Sequence, residues 1–145
     1  METDSKPGCR LLREGLFQPP ETPGAPARLI GSRCLKCGDI AFPQKPRCAR
    51  CDGTKTEGRL LSPRGRIYSY TILRQALPGY RLPNIIAMVK LPEDDHLMIL
   101  TQIRDCTEDE VNVGLEVESI VEELFTTPLG EGVIGYAFRP VRGAA

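Results

Sequence analysis

The sequence predicts a mostly β protein in two parts, a small ribbon pinned by a metal ion and then a five-stranded barrel. Three observations lead there. Four cysteines stand as two Cys-x-x-Cys pairs, Cys34/Cys37 and Cys48/Cys51, with ten residues between the pairs. Five later runs are apolar or alternating, the first of them rich in β-branched and aromatic residues. Thr107, followed three residues later by Glu110, makes a capping box that inserts one helical turn between the third and fourth of those runs.

A Cys-x-x-Cys turn brings two sulfurs to one side of a tight loop. Two such turns supply the four ligands of a tetrahedral site, so Cys34, Cys37, Cys48 and Cys51 are assigned to one structural zinc ion. Gly38 and Gly53 follow the two turns, where the chain bends through a positive φ at least cost in glycine. Four thiolates close the coordination sphere, so the metal holds the fold and leaves no position for substrate. Two disulfides are the poorer reading, because the polar, Pro-containing opening is no secretory signal and a reducing cytoplasm follows. A rubredoxin-like iron centre uses the same ligands. Structural zinc contributes about 10–16 kcal/mol in small modules, and a ribbon of this size buries too little to fold without it.

Taken in order, residues 1–8 read as disordered and Arg10–Phe17 as a short helical turn with Leu11, Leu12, Leu16 and Phe17 on one side. Pro19, Pro20, Pro23 and Pro26 then form an extended tether. The apolar cluster at its end is expected to dock on a partner, so residues 1–27 are a docking segment and linker. Residues 28–58 form the ribbon, with strands over Arg28–Ser32 and Asp39–Gln44 and Phe42 covering the metal. Residues 59–145 form the barrel, its five strands over Arg64–Gln75, Asn84–Leu91, His96–Ile103, Leu115–Phe125 and Gly132–Pro140. Pro92–Asp95 makes a hairpin, and Gly114 ends the helical turn. In Leu115–Phe125, residues Leu115, Val117, Ser119 and Val121 face one side, with Glu116, Glu118, Ile120 and Glu122 opposite. Five strands with a helical turn after the third match a Greek-key barrel of the OB type.

Net charge is zero, but residues 1–92 carry 16 Lys and Arg against 7 Asp and Glu, while residues 93–145 carry 3 against 12. The basic part suits an anionic ligand. Arg33, Lys36, Lys45, Arg47 and Arg50 lie among the cysteines and offset the thiolates. No apolar run reaches the length of a membrane span.

Catalytic candidates are thin. His96, the sole histidine, opens a strand beside Asp94 and Asp95; Cys9 and Cys106 have no base nearby in sequence; Glu122–Glu123 reads as a solvated strand edge. Phosphate-cradling and dinucleotide fingerprints are missing. Single-stranded nucleic-acid binding is the alternative function. It would use Tyr68, Tyr70 and Tyr80 as a stacking platform, but Asn84–Ile103 has no aromatic residue and the acidic half repels phosphates. A small iron electron carrier is a third reading.

The chain resembles a family that pairs a rubredoxin-like zinc ribbon with an OB domain and accompanies acyl-CoA enzymes. The resemblance runs from about Leu29 to Pro140. It is carried by Ile30–Gly38 with its first cysteine pair, Phe42–Pro43, Cys48–Cys51, Gly65–Thr71, Leu82–Val89, Val113–Gly114 and Phe138–Pro140. It implies a non-catalytic subunit, in a hetero-oligomer with a thiolase, a thiolase-fold aldolase or a hotdog-type hydratase. The Leu16–Phe17 opening and Leu29–Ser32 look most similar to the thiolase companions, which implies thiolytic cleavage of a 3-oxoacyl-CoA by the complex. It further implies that the OB domain helps shape the entrance for coenzyme A. Tyr80, Arg81, Arg66 and Arg74 are the first candidates there, with Arg64 and Lys90 beside them.

Overall fold

The computed structural model describes residues 9–11, 16–18, 26–75 and 84–141, the first of these by backbone alone. Among the described residues ten strands follow in chain order: β1 (Cys9–Leu11), β2 (Phe17–Gln18), β3 (Arg28–Cys34), β4 (Ile40–Ala41), β5 (Thr56–Leu60), β6 (Arg64–Leu73), β7 (Asn84–Lys90), β8 (Met98–Ile103), β9 (Glu116–Thr126) and β10 (Gly132–Pro140). Strands β6 to β10 close on themselves. β7 pairs antiparallel with β6 and β8, β9 pairs with β6 and β10, and β10 meets β8 in parallel at Phe138 and Ile103. This is the closed five-stranded, OB-like barrel that the apolar runs predict.

The barrel closes because inward positions along these strands are apolar. Ile67, Val89, Ile99, Val117 and Phe138 are wholly or almost wholly buried in one cluster. Each such side chain stabilises by roughly 1.5–3 kcal/mol on leaving water. Gly65 is required by proximity: a Cβ there would lie 2.6 Å from the Lys90 carbonyl oxygen.

The ribbon is built on β3, which pairs with β2 and β4 along one side and β5 along the other. It shares the barrel's core. Leu29 and Leu61 are fully buried in the same cluster as Phe138, with Phe17, Ile40 and Phe42 packed against it. Phe42 therefore turns to the barrel and not over the metal. It meets Tyr136 edge-on, with ring centroids 5.3 Å apart and planes at 88°. A large ring gains more from an apolar neighbour with a favourable edge-to-face geometry than from a charged sulfur cluster.

Three other local expectations are revised. The helical turn expected over Arg10–Phe17 is replaced by strand at both ends, since β1 runs parallel to β10 and Phe17 pairs with Leu29. Leu16 is buried on its own chain, and its carbonyl accepts the Ile30 amide at 2.8 Å, so this end of the apolar cluster folds back. Ladder bonds to a strand already in place outweigh the helix preference of a short segment. Thr107 and Glu110 do bond reciprocally, each side chain to the other's amide at 3.2 Å. The box closes the single turn expected of it, with Val111 N–H donating to the Thr107 carbonyl at 3.2 Å, and the chain bends again at Gly114, φ +95°.

The alternation in β9 also breaks down, as Val117, Glu118, Ser119 and Ile120 are all buried. The main chain of Ala27 bonds both the carbonyl and the hydroxyl of Ser119. Glu118 accepts from Arg139 at 3.0 Å. Ile120 joins a second cluster with Leu124 and Ala137. Leu124 is the extra residue of a β-bulge, since Phe125 pairs with Val133 but Glu123 with Ile134. Arg104, buried at the end of β8, ties this bulge down: it donates to the Leu124 carbonyl at 2.8 Å and pairs with Glu122 at 2.8 Å.

Candidate metal centre and cationic groove

The two cysteine turns repeat one local design. Gly38 N–H donates to the Cys34 carbonyl and Asp52 N–H to the Cys48 carbonyl, both at 2.9 Å. The first sulfur of each turn accepts two amides: Cys34 Sγ from Lys36 and Cys37, at 3.3 and 3.4 Å, and Cys48 Sγ from Arg50 and Cys51, at 3.3 and 3.5 Å. Such amides stabilise thiolates. The chain leaves each turn through a positive φ directly after the second cysteine, at Gly38 (+82°) and at Asp52 (+62°). The expectation for Gly53 is thus corrected by one residue. Aspartate tolerates this conformation better than most side chains, and here Asp52 is held by Arg47 at 3.0 Å.

The turns face each other. Cys34 Sγ lies 3.5 Å from Cys51 Sγ, Cys37 Sγ lies 3.6 Å from Cys48 Sγ, and all four sulfurs fall within 4.8 Å of one another. A tetrahedron of sulfurs about 2.3 Å from a central ion has edges of about 3.8 Å, so the donor set and spacing fit a four-coordinate metal. The sulfurs cannot share this space as four bare anions. The Cys37 amide, first among several groups, holds the Cys34 thiol down at about 6. Cys37 is pushed up to about 12: the Asp39 amide pulls it down, but burial and the neighbouring sulfurs together prevail. A cation at the centre removes that conflict.

The sequence-derived coenzyme A candidates separate. Tyr80 and Arg81 lie outside the described residues. Arg74, on the turn after β6, is held bidentately by Glu108 at 2.6 and 3.0 Å. Arg66 donates to the Gly114 carbonyl at 3.0 Å and pairs directly across the ladder with Lys90. Arg64, Arg66 and Lys90 line one groove of about 340 Å³ together with Ser62, Asp95 and Glu116. Asp95 lies 3.6 Å from Lys90, and Glu118 lies 3.9 Å from Arg64. This clustering follows from strand register, which sequence spacing alone does not reveal. His96 is exposed, its amide bonded to Asp94. Cys106 is half-buried, its Sγ 3.5 Å from the Thr107 carbonyl.

Comparison with known proteins supports the architecture. The family model for the C-terminal OB-fold domain of ChsH2 matches residues 58–121. A DUF35 domain-containing scaffold protein of Methanocaldococcus jannaschii is 34% identical over 118 residues, 78% of this chain and 82% of that one. The benzoylsuccinyl-CoA thiolase subunit BbsA of Thauera aromatica is 30% identical over 138 residues, 95% of this chain and 93% of that subunit. Among solved structures, the Ltp2-ChsH2(DUF35) aldolase aligns with a TM-score of 0.63 at 24% identity, covering 78% of this chain and 84% of the matched one, a likeness of fold. With its paired cysteine turns set against a closed OB-like barrel, and with these relatives, the chain belongs to the DUF35 family, the ribbon-and-barrel proteins that its sequence resembles.

Proposed function

We propose that this chain is the non-catalytic, zinc-containing subunit of a thiolase-type acyl-CoA complex. In this reading it steadies a thiolase-fold catalytic partner and contributes to the coenzyme A entrance. The observation that carries the reading is the similarity to BbsA, which spans nearly the whole of both chains. Cys34, Cys37, Cys48 and Cys51 hold one zinc ion, and its role is a cross-link between the two turns. The partner performs the thiolytic cleavage of a 3-oxoacyl-CoA. This chain's contribution to that step is placement. The adenosine end of coenzyme A carries phosphates, and the guanidinium groups of Arg64 and Arg66, with the Lys90 ammonium, form the groove suited to them. Arg74 is a weaker candidate than its charge implies, because Glu108 already occupies its fork.

Native purification of the tagged chain tests this. The expected result is a stoichiometric thiolase-fold companion, one zinc per chain, and thioester cleavage that needs both polypeptides. A chain that runs alone, or turns over a thioester alone, overturns the proposal, and a red iron-loaded protein overturns the zinc assignment. In the purified complex, Arg66→Ala should weaken apparent acyl-CoA affinity by about tenfold, the loss of a charge-assisted bond. Unchanged affinity removes the groove from the entrance.

One observation favours single-stranded nucleic acid as the ligand: Tyr68 and Tyr70 are exposed on β6 beside Arg66. Against it stands the acidic C-terminal hairpin. Retention on single-stranded DNA that fades as salt rises would support that reading.

A further inference from the structure

β9 and β10 pair over nine positions, yet β6 bonds β9 only at Glu116–Glu118, and β8 bonds β10 only at Phe138. Beyond those pairings the far half of the hairpin is flanked by β1, which pairs with Gly132–Ile134, and is tied to the end of β8 by Arg104 and to Leu100 by Tyr136, leaving the 127–131 turn at its end. Its tip is ordered. Thr127 N–H donates to the Glu131 carbonyl at 2.8 Å, Gly130 N–H to the Thr127 carbonyl at 2.9 Å, and Glu131 N–H to Thr127 Oγ1 at 3.1 Å. Gly130 supplies the positive φ, +85°, that closes the turn. This scaffold presents Leu129 to solvent at 92% exposure. Single exposed leucines are ordinary. A leucine held at the apex of a bonded turn is already ordered, so docking costs it less entropy than a floppy loop would lose.

Two further observations say what the arm fits. Between the far half of the hairpin and strands β7 and β8 lies a mainly apolar groove of about 270 Å³, lined by Ile86, Leu100, Leu124, Phe125 and Tyr136 with Thr101 and Gln102, and Leu100 is 61% exposed. Asp105 to Phe138 carries nine Asp and Glu and no Lys, Arg or His. On the arm, Glu123 is exposed, while Glu122 is taken up by Arg104 at 2.8 Å. Such a surface repels nucleic acid and anionic lipid. It complements a protein surface with an apolar socket inside a basic rim.

We propose that the β9–β10 hairpin is the docking arm for the catalytic subunit, with Leu129 as the anchor in that socket. The identity of the occupant rests on the accessory-subunit reading above. The test uses the native complex isolated from cells producing wild-type chain, Leu129→Asp or Leu129→Met. Native mass spectrometry reads the fraction of chain bound to its companion, and thermal unfolding of the free chain serves as the folding control. Leu129→Asp should lower affinity at least about tenfold, as loss of a central anchor does, while unfolding as wild type does. Leu129→Met should retain the companion. Hydrogen exchange at 127–131 should slow in the wild-type complex, and added salt should loosen it. If Leu129→Asp keeps its companion at wild-type affinity, or if 127–131 exchanges equally fast free and bound, the arm is not the docking element although the accessory reading stands. A wild-type chain with no companion overturns both.

Discussion

The ribbon and the barrel are neighbouring β units held by different forces. The barrel encloses Phe138, Val117 and Val89 without solvent contact, in a cluster that Leu29 of β3 also joins. In the ribbon, β5 is exposed along nearly its whole length and β4 is two residues long. What is buried near its tip is sulfur: Cys34 and Cys48 are the apolar core there. Apolar burial scales with size and serves the larger unit. The smaller unit is too short to build such a core and offers instead four sulfurs spaced for one ion.

The sharpest way to break this contrast is to remove the metal. Chelation under reducing conditions should cost the ribbon about 10–16 kcal/mol of folding free energy. Amide exchange across β3 to β5 should become fast, while β7 and β8 stay protected. Parallel loss of protection in β7 would mean that one cooperative unit spans both regions and that the contrast fails. Next in size, Phe138→Ala should destabilise the barrel by about 3–5 kcal/mol in urea unfolding, since it leaves a cavity in the centre of the cluster. If the two units are held as described, its metal content stays at wild-type level. The smallest effect sharpens the junction. A double-mutant cycle of Phe42→Ala and Tyr136→Ala should give a coupling of about 0.5–1.5 kcal/mol, the worth of an edge-to-face ring pair. A coupling of zero would show that the ribbon leans on Leu29 and Leu61 alone.

Much of this was readable from residue order. The cysteine spacing announced the ligand set, and β10 runs over the same Gly132–Pro140 that its apolar residues mark. What was missed depends on tertiary neighbours. Nothing in Cys9–Leu11 signals a strand parallel to β10, because the pairing partner lies more than a hundred residues away. Glu118 and Ile120 look set on the face opposite Val117 and Ser119 until Arg139 takes up the carboxylate and a second cluster covers the isoleucine. Phe42 sits between two cysteine turns in sequence, so only the fold shows that its ring belongs to Tyr136. The gathering of Arg64, Arg66 and Lys90 was half legible. Spacing puts the first two on one strand, but only the β6–β7 register sets Lys90 opposite Arg66.

β3 serves two masters on opposite faces. Leu29 and Gly31 turn to the barrel side, where a Cβ on Gly31 would strike the Ala41 carbonyl oxygen and Leu61, while Ser32 and Cys34 belong to the ribbon tip. Because a pleated strand inverts its faces with every single-residue step, the stretch between Leu29 and Cys34 acts as a ruler. One residue gained or lost there would swing either the leucine out of the core or the sulfur away from its three companions. The loop from Gln44 to Arg47 is gauged as well: the Lys45 amide donates to Ser32 Oγ at 3.1 Å and the Lys45 carbonyl accepts from Thr56 Oγ1 at 2.8 Å, just before Cys48.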